Sequence, residues 1–192
     1  MFLLATGNVF GVSDDLMGAI ITALVTGIIS IIGFIVTNMS MRKNFKNELM
    51  KQRDSIALEK MATIPYEVLD LMDRMIGAKS GKNAQAELGN FKKIMNEIYS
   101  YGSEKAISLV ALMQKENYAS NGDVTRMDKF RVMSSYVLLA TQIKFDVTGT
   151  YVNPEFWFTM RITDYEMNKE EIKEANNKLV KELKLSDKMK IE

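Results

Sequence analysis

From Leu16 to Met41 the chain carries no charged residue, with Asp15 before the run and Arg42 after it. This run limits what the chain can fold into more than any other feature. A hydrocarbon core of about 30 Å needs about 20 apolar residues as helix, and the run supplies them with room to tilt. The competing structure is the core helix of a water-soluble domain, which is normally shorter and broken by charge. The stretch 15–41 is therefore read as a transmembrane helix, with the lipid bilayer as its first partner.

The flanks set an expected orientation. Asp14 and Asp15 precede the run, and no Lys or Arg stands in the first 41 residues. Arg42, Lys43, Lys46, Lys51 and Arg53 follow it closely. Basic residues beside a span are retained in the cytoplasm, which places 1–14 outside and the long C-terminal part inside, at an inner (cytoplasmic) membrane. The same five side chains are expected to meet anionic head groups, worth about 1 kcal/mol each near the surface. A cleaved signal peptide needs a basic start and a shorter apolar core. Met1-Phe2-Leu3-Leu4 has no basic side chain, so the helix is read as an uncleaved anchor. Residues 1–13, with Gly7 and Gly11, fit a short external or interfacial segment and a poorly ordered terminus equally well.

The span is two-sided. At about 100° per residue, Gly18, Thr22, Thr26, Ser30, Gly33 and Thr37 fall in one sector, with Ala19, Ala23 and Gly27 beside them. The opposite sector is built from Ile20, Ile21, Leu24, Val25, Ile28, Ile31, Ile32 and Ile35. In lipid, helices associate through close backbone approach at small residues and through Ser/Thr hydrogen bonds. The small face is therefore expected to be where copies of the chain pack. Its hydroxyl row either joins helices or lines a narrow polar path.

Past the span, nothing breaks the helical pattern before Pro65. Phe34, Asn38, Met41, Phe45, Leu49, Gln52 and Ile56 succeed one another at spacings of four and three, a coiled-coil-like pattern with polar members that set register. Residues 42–64 are read as a basic juxtamembrane helical stalk, and 65–192 as a cytosolic helical bundle. The fold class expected is mainly α.

Within that bundle, Thr63-Ile64-Pro65 opens a helix to about Ala78 with Val68, Leu69, Met72, Met75 and Ile76 inward. A second covers about Ala84 to Tyr101, with Leu88, Phe91, Ile94, Met95, Ile98 and Tyr99 apolar. Gly102 ends it, and Ser103 caps a third that runs to about Tyr118 and buries Ile107, Val110, Ala111 and Met113. After the turn Asn121-Gly122-Asp123, Asp123 is expected to cap a long helix to about Val147, with Val124, Met127, Phe130, Met133, Val137, Leu138, Thr141 and Phe145 in register. Val137-Leu138-Leu139-Ala140 is apolar on nearly every side, which makes this the central helix. Thr148 to Val152 is the one stretch suited to a strand. Asn153-Pro154 starts another helix. Its aromatic patch Phe156, Trp157 and Phe158 serves as core, protein contact or lipid contact. Asn168 caps a last charged helix to about Leu185, with Ile172, Leu179, Val180 and Leu183 on one side.

Composition narrows the chemistry. The chain has no Cys and no His, which removes disulfides, thiolate sites, the commonest metal ligand and the commonest general base. All 25 Lys and Arg lie at or after Arg42, against 22 Asp and Glu once Asp14 and Asp15 are taken from the 24, a balance of +3. That is too small for a nucleic-acid binder, and no aromatic-basic interleaving accompanies it. Gly77 to Asn83 is not a phosphate loop, because it lacks the required Gly at Ile76 and the Ser or Thr at Asn83. Glu67, Asp70 and Arg74 share a helical face, and Arg161, Asp164 and Tyr165 form a local cluster, but neither matches a catalytic pattern. No enzyme activity, catalytic residue, metal or cofactor is expected.

Two functions fit this reading. One is a homo-oligomeric, pore-type membrane effector whose cytosolic domain drives assembly and receives a regulatory cytosolic protein. The other is a membrane-tethered helical adaptor that recruits a partner without conducting ions. The layout, a lone N-terminal span and a compact helical domain, resembles in outline small bacterial membrane effectors of anti-phage defence and toxin systems. That resemblance is one of architecture alone, and it implies a partner that holds a pore closed until triggered.

Overall fold

A computed structural model describes residues 14–77, 82–120 and 128–192. The expectations for 1–13, for the turn at Asn121-Gly122-Asp123 and for Val124 and Met127 lie outside the described residues, as do the side chains of Ile76 and Leu88. Among the described residues the chain is helical and contains no strand. It divides into two compact units, 1–53 and 54–192.

The first unit is one helix. α1 (Asp14–Met61) contains the whole uncharged run, and its last turns belong to the second unit. It is long and apolar enough to cross a membrane, and none of its apolar window is buried against the rest of the chain.

The second unit contains α2 (Ile64–Gly77), α3 (Lys82–Tyr101), α4 (Glu104–Ala119), α5 (Lys129–Thr148), the short α6 (Glu155–Arg161) and α7 (Lys169–Glu182). α5 is central: it packs against α2, α4 and α7. Ser134 through Ile143 are all buried on it, as the all-round apolar Val137-Leu138-Leu139-Ala140 within them requires, and the burial takes in the polar Ser134, Ser135, Thr141 and Gln142. Met61, Ile64, Val68, Leu71, Met72, Ile98, Leu109, Leu138, Leu139 and Leu179 form the main core. Phe158, Tyr165, Ile172 and Ile191 form a smaller cluster around Val137.

Several boundaries follow local chemistry. Ser103 accepts a hydrogen bond from Ala106 N and caps α4 as expected. Gly102 follows α3 and donates to Ile98 O at 2.7 Å, so close that a Cβ added there would lie 2.6 Å from that oxygen and only glycine fits without a shift. Gly149, at φ 70°, closes α5 in the left-handed conformation that glycine adopts without strain. The N-terminal cap of α5 corrects the sequence reading. Asp128, not Asp123, supplies it, accepting from Phe130 N at 2.9 Å and Arg131 N at 3.3 Å.

Other expectations also need correction. Thr148 to Val152 makes no strand, because Gly149 turns the chain and Tyr151 stacks on Phe145 at 3.8 Å instead. Asn168 precedes α7, but its side chain points back, donating to Asp164. Tyr99 and Ala111 are exposed, and Leu71, Ala106 and Leu109 take the buried places nearby. Met75 is exposed along its side, although its sulfur accepts from the Tyr136 hydroxyl at 3.1 Å. Burial pushes that Tyr136 phenol up to about 12.

Two polar ties were not foreseen. Arg131 on α5 bridges Glu116 of α4 at 2.6 Å and Glu182 of α7 at 2.8 Å. Asn176, fully buried, donates to Met189 O at 2.9 Å, while Asn177 donates to Ile191 O at 2.8 Å and accepts from Ile191 N at 2.9 Å. The C-terminal segment is thereby pinned to α7.

Leu138 is completely buried at the centre of this core. Leu138→Ala is expected to lower the unfolding free energy by about 3 kcal/mol, the transfer loss plus the cavity. Met160→Ala, at an exposed position, should change it by less than about 0.5 kcal/mol. Chemical denaturation of the detergent-solubilised chain measures both.

Candidate functional site

The candidate site is the surface of α1. A helix satisfies its backbone internally, so its side chains alone decide what it meets. Gly18, Ala19, Thr22, Ala23, Thr26, Gly27, Ser30, Gly33 and Thr37 are all exposed on it. A Cβ built at Gly18, Gly27 or Gly33 meets nothing within 4 Å. No contact among the described residues therefore accounts for glycine at these positions, where it weakens a helix by about 1 kcal/mol relative to Ala in water. The Thr22 hydroxyl donates to Gly18 O at 2.8 Å, so its proton is used inside the helix and its remaining lone pairs face outward. The bulky residues opposite, from Ile20 to Ile35, are exposed as well.

Arg42, Lys43, Lys46, Lys51 and Arg53 are likewise exposed on α1. The apolar residues between them stay uncovered, with Phe45 at 67% and Ile56 at 53% exposure.

The aromatic patch divides. Phe158 has no exposure at all and belongs to the core, edge-on to Trp157 at 5.6 Å and stacked on Tyr165 at 6.4 Å. It therefore offers no contact surface. Trp157 is half-buried, and Phe156 is the exposed member at 62%. Glu155 anchors this segment: its Oε1 accepts from Lys169 Nζ at 2.9 Å and from the Tyr165 hydroxyl at 3.0 Å. The Lys169 bond, with that from Tyr165, holds the Glu155 carboxyl below its ordinary range. Burial, and then the bond to Glu155, push the Tyr165 phenol up.

The polar clusters singled out from sequence are ion pairs. Arg74 binds Asp70 at 2.6 Å and Glu87 at 3.0 Å, and Glu67 takes no part in that contact. Arg161, Asp164 and Tyr165 do not come together: Arg161 pairs with Asp73 of α2, Asp164 with Asn168, and Tyr165 with Glu155. Among the described residues no group of three or more acidic side chains is placed to hold a metal ion.

Three concavities in the second unit were missed, one of them a polar hollow of 510 Å³ along α3 lined by Lys92, Lys93, Asn96 and Glu97. A groove of 590 Å³ between α3 and α4 is walled by Met95, Tyr99, Ile107, Val110 and Tyr118. Tyr99 and Tyr118, both exposed, stand at its rim. The third, of 410 Å³, is lined by Ser103, Gln142, Asp146 and Tyr151. There Asp146 accepts from the Ser103 hydroxyl at 2.6 Å and from Gln142 Nε2 at 2.8 Å. A carboxylate so held orients the Ser103 hydroxyl and the Gln142 amide, and Glu104, Lys105 and Lys184 line the same groove. Gln142 and Asp146, four apart on one helix, were the readable part of this arrangement.

No family model, curated protein or solved structure matches the chain.

The Glu155 contacts carry a pH signature. Because its carboxyl titrates lower when folded than unfolded, its contribution is complete above the unfolded value, about 4.3, and is lost as pH falls through the folded value. Glu155→Gln should therefore cost about 1 kcal/mol at neutral pH and progressively less below about pH 4. Thermal melts of both proteins across that range report the convergence. Parallel melting curves at every pH would contradict it.

Proposed function

We propose that the chain is a homo-oligomeric single-pass membrane protein of pore type, anchored in the inner membrane by α1. Its N-terminus lies outside and its helical domain in the cytoplasm. The observation that carries this reading is the small and hydroxylated face of α1, uncovered among the described residues, with three glycines that no contact among those residues uses. A simple anchor gains nothing from such a face, whereas packed membrane helices approach through it. Thr22, Thr26 and Ser30 then offer oxygen atoms to ions or water where the helices of several copies meet. The helical domain drives assembly and receives the regulator. The outline resemblance to bacterial anti-phage and toxin effectors suits a pore held closed by that partner.

A second reading is a tether, in which the helical domain recruits a cytosolic protein and no ions pass. It is favoured by the open α3–α4 groove with Tyr99 and Tyr118 at its rim.

Ion flux from liposomes containing the purified chain separates the two. The pore reading expects leakage that Thr26→Leu lowers severalfold while Ile28→Leu, on the opposite side, leaves it unchanged. Non-conducting liposomes, or leakage indifferent to Thr22, Thr26 and Ser30 alike, would transfer the assignment to the tether.

A further inference from the structure

Beyond Thr37, α1 leaves the small face behind, yet its surface is still uncovered and patterned. Asn38, Met41 and Phe45 recur eleven residues later as Leu49, Gln52 and Ile56. An eleven-residue repeat corresponds to about 3.67 residues per turn, so the six positions stay on one narrow stripe of a nearly straight or slightly right-handed helix. Continuing instead in sevens from Met41 would bring Glu48, Ser55 and Glu59 into the seam, which no apolar packing favours.

The charges beside the stripe are sorted. At about 100° per residue, Arg42, Arg53 and Lys60 lie about 60–80° to one side of it, and Glu48 and Glu59 about 40–60° to the other. Lys43, Lys51 and Asp54 fall on the outer side. Among the described residues, none of these side chains is engaged in an ion pair. This sorting selects a partner. When identical helices pack in parallel around an axis, the left flank of each meets the right flank of the next, so the basic row meets the acidic row. In an antiparallel pair like flanks meet, and the basic rows oppose each other. Such flank charges set partner choice and orientation in helix assemblies.

We infer that the stripe Asn38–Ile56 of α1 is the seam of a parallel assembly of copies of this chain, packed on an eleven-residue repeat, with Glu48 of each copy paired to Arg53 of the next. The inference deepens the homo-oligomeric reading above and rests on it. Insertion of every copy in one orientation supplies the parallel arrangement, and Asn38 and Gln52 within the seam fix its register.

The absence of Cys from the chain makes a direct test clean. In membrane vesicles containing the full chain, Phe45→Cys, Leu49→Cys, Gln52→Cys and Ile56→Cys should each form disulfide-linked dimers on mild oxidation. Ser40→Cys and Asn47→Cys on the outer side, and Ser55→Cys on the seven-residue alternative, should not. In the Leu49→Cys background, Glu48→Arg or Arg53→Glu alone should lower the yield severalfold, and the two together should restore it. Linkage at Ser55 or at the outer positions, or failure of the double reversal to restore, would overturn the seam while leaving oligomerisation standing. No linkage at any position with an oligomeric mass in detergent would also remove the seam alone. No linkage with a monomeric mass would remove the homo-oligomeric reading too.

Discussion

An apolar helix with no partner among the described residues is the constraint that shapes the rest of the structure. Helices in water draw most of their stability from burying one face on other elements. α1 buries none of its apolar window, so its surroundings must supply what the chain does not. In hydrocarbon every backbone donor and acceptor has to be satisfied within the segment, and an uninterrupted helix does so. The uniform Ile, Leu and Val of one sector are what lipid tails accept. The glycines and hydroxyls of the other gain only from another protein surface.

The second unit obeys different physics. Its stability comes from burial around α5, whose apolar stretch leaves no side for water. Of the polar groups that do enter, Arg131 meets two carboxylates and Asn176 donates to a backbone carbonyl, while Arg131 Nη1, Asn176 Oδ1 and Ser134 Oγ have no hydrogen-bond partner among the described residues. Such ties add specificity more than net energy, since burying a polar group costs nearly what its bonds return.

The long apolar helix, the predominance of helix and the central place of α5 were legible because each rests on a long run with one strong period or none. Ser103 was legible because a capping hydroxyl acts within one turn. The start of α5 was misplaced because Asp123 and Asp128 are equally good caps on local grounds, and only the helix itself chooses between them. Tyr99 was assigned inward because its spacing fits the apolar face of α3, while the depth of burial depends on α4. The Arg131 bridge and the pinning by Asn177 join residues 15, 51 and 14 apart in sequence, and no local pattern announces such contacts. The surface of α1 was the reverse case. Its periodicity could be read from the sequence because no other described element covers it.

The measurement that tests the central claim most directly is the protein mass of the full chain in detergent, corrected for bound detergent by sedimentation equilibrium. The expected result is a single species of two or more whole copies of the 21.8 kDa chain, persisting as detergent is diluted toward its critical concentration. A monomer under all those conditions would contradict it, because the small face of α1 would then have no protein partner.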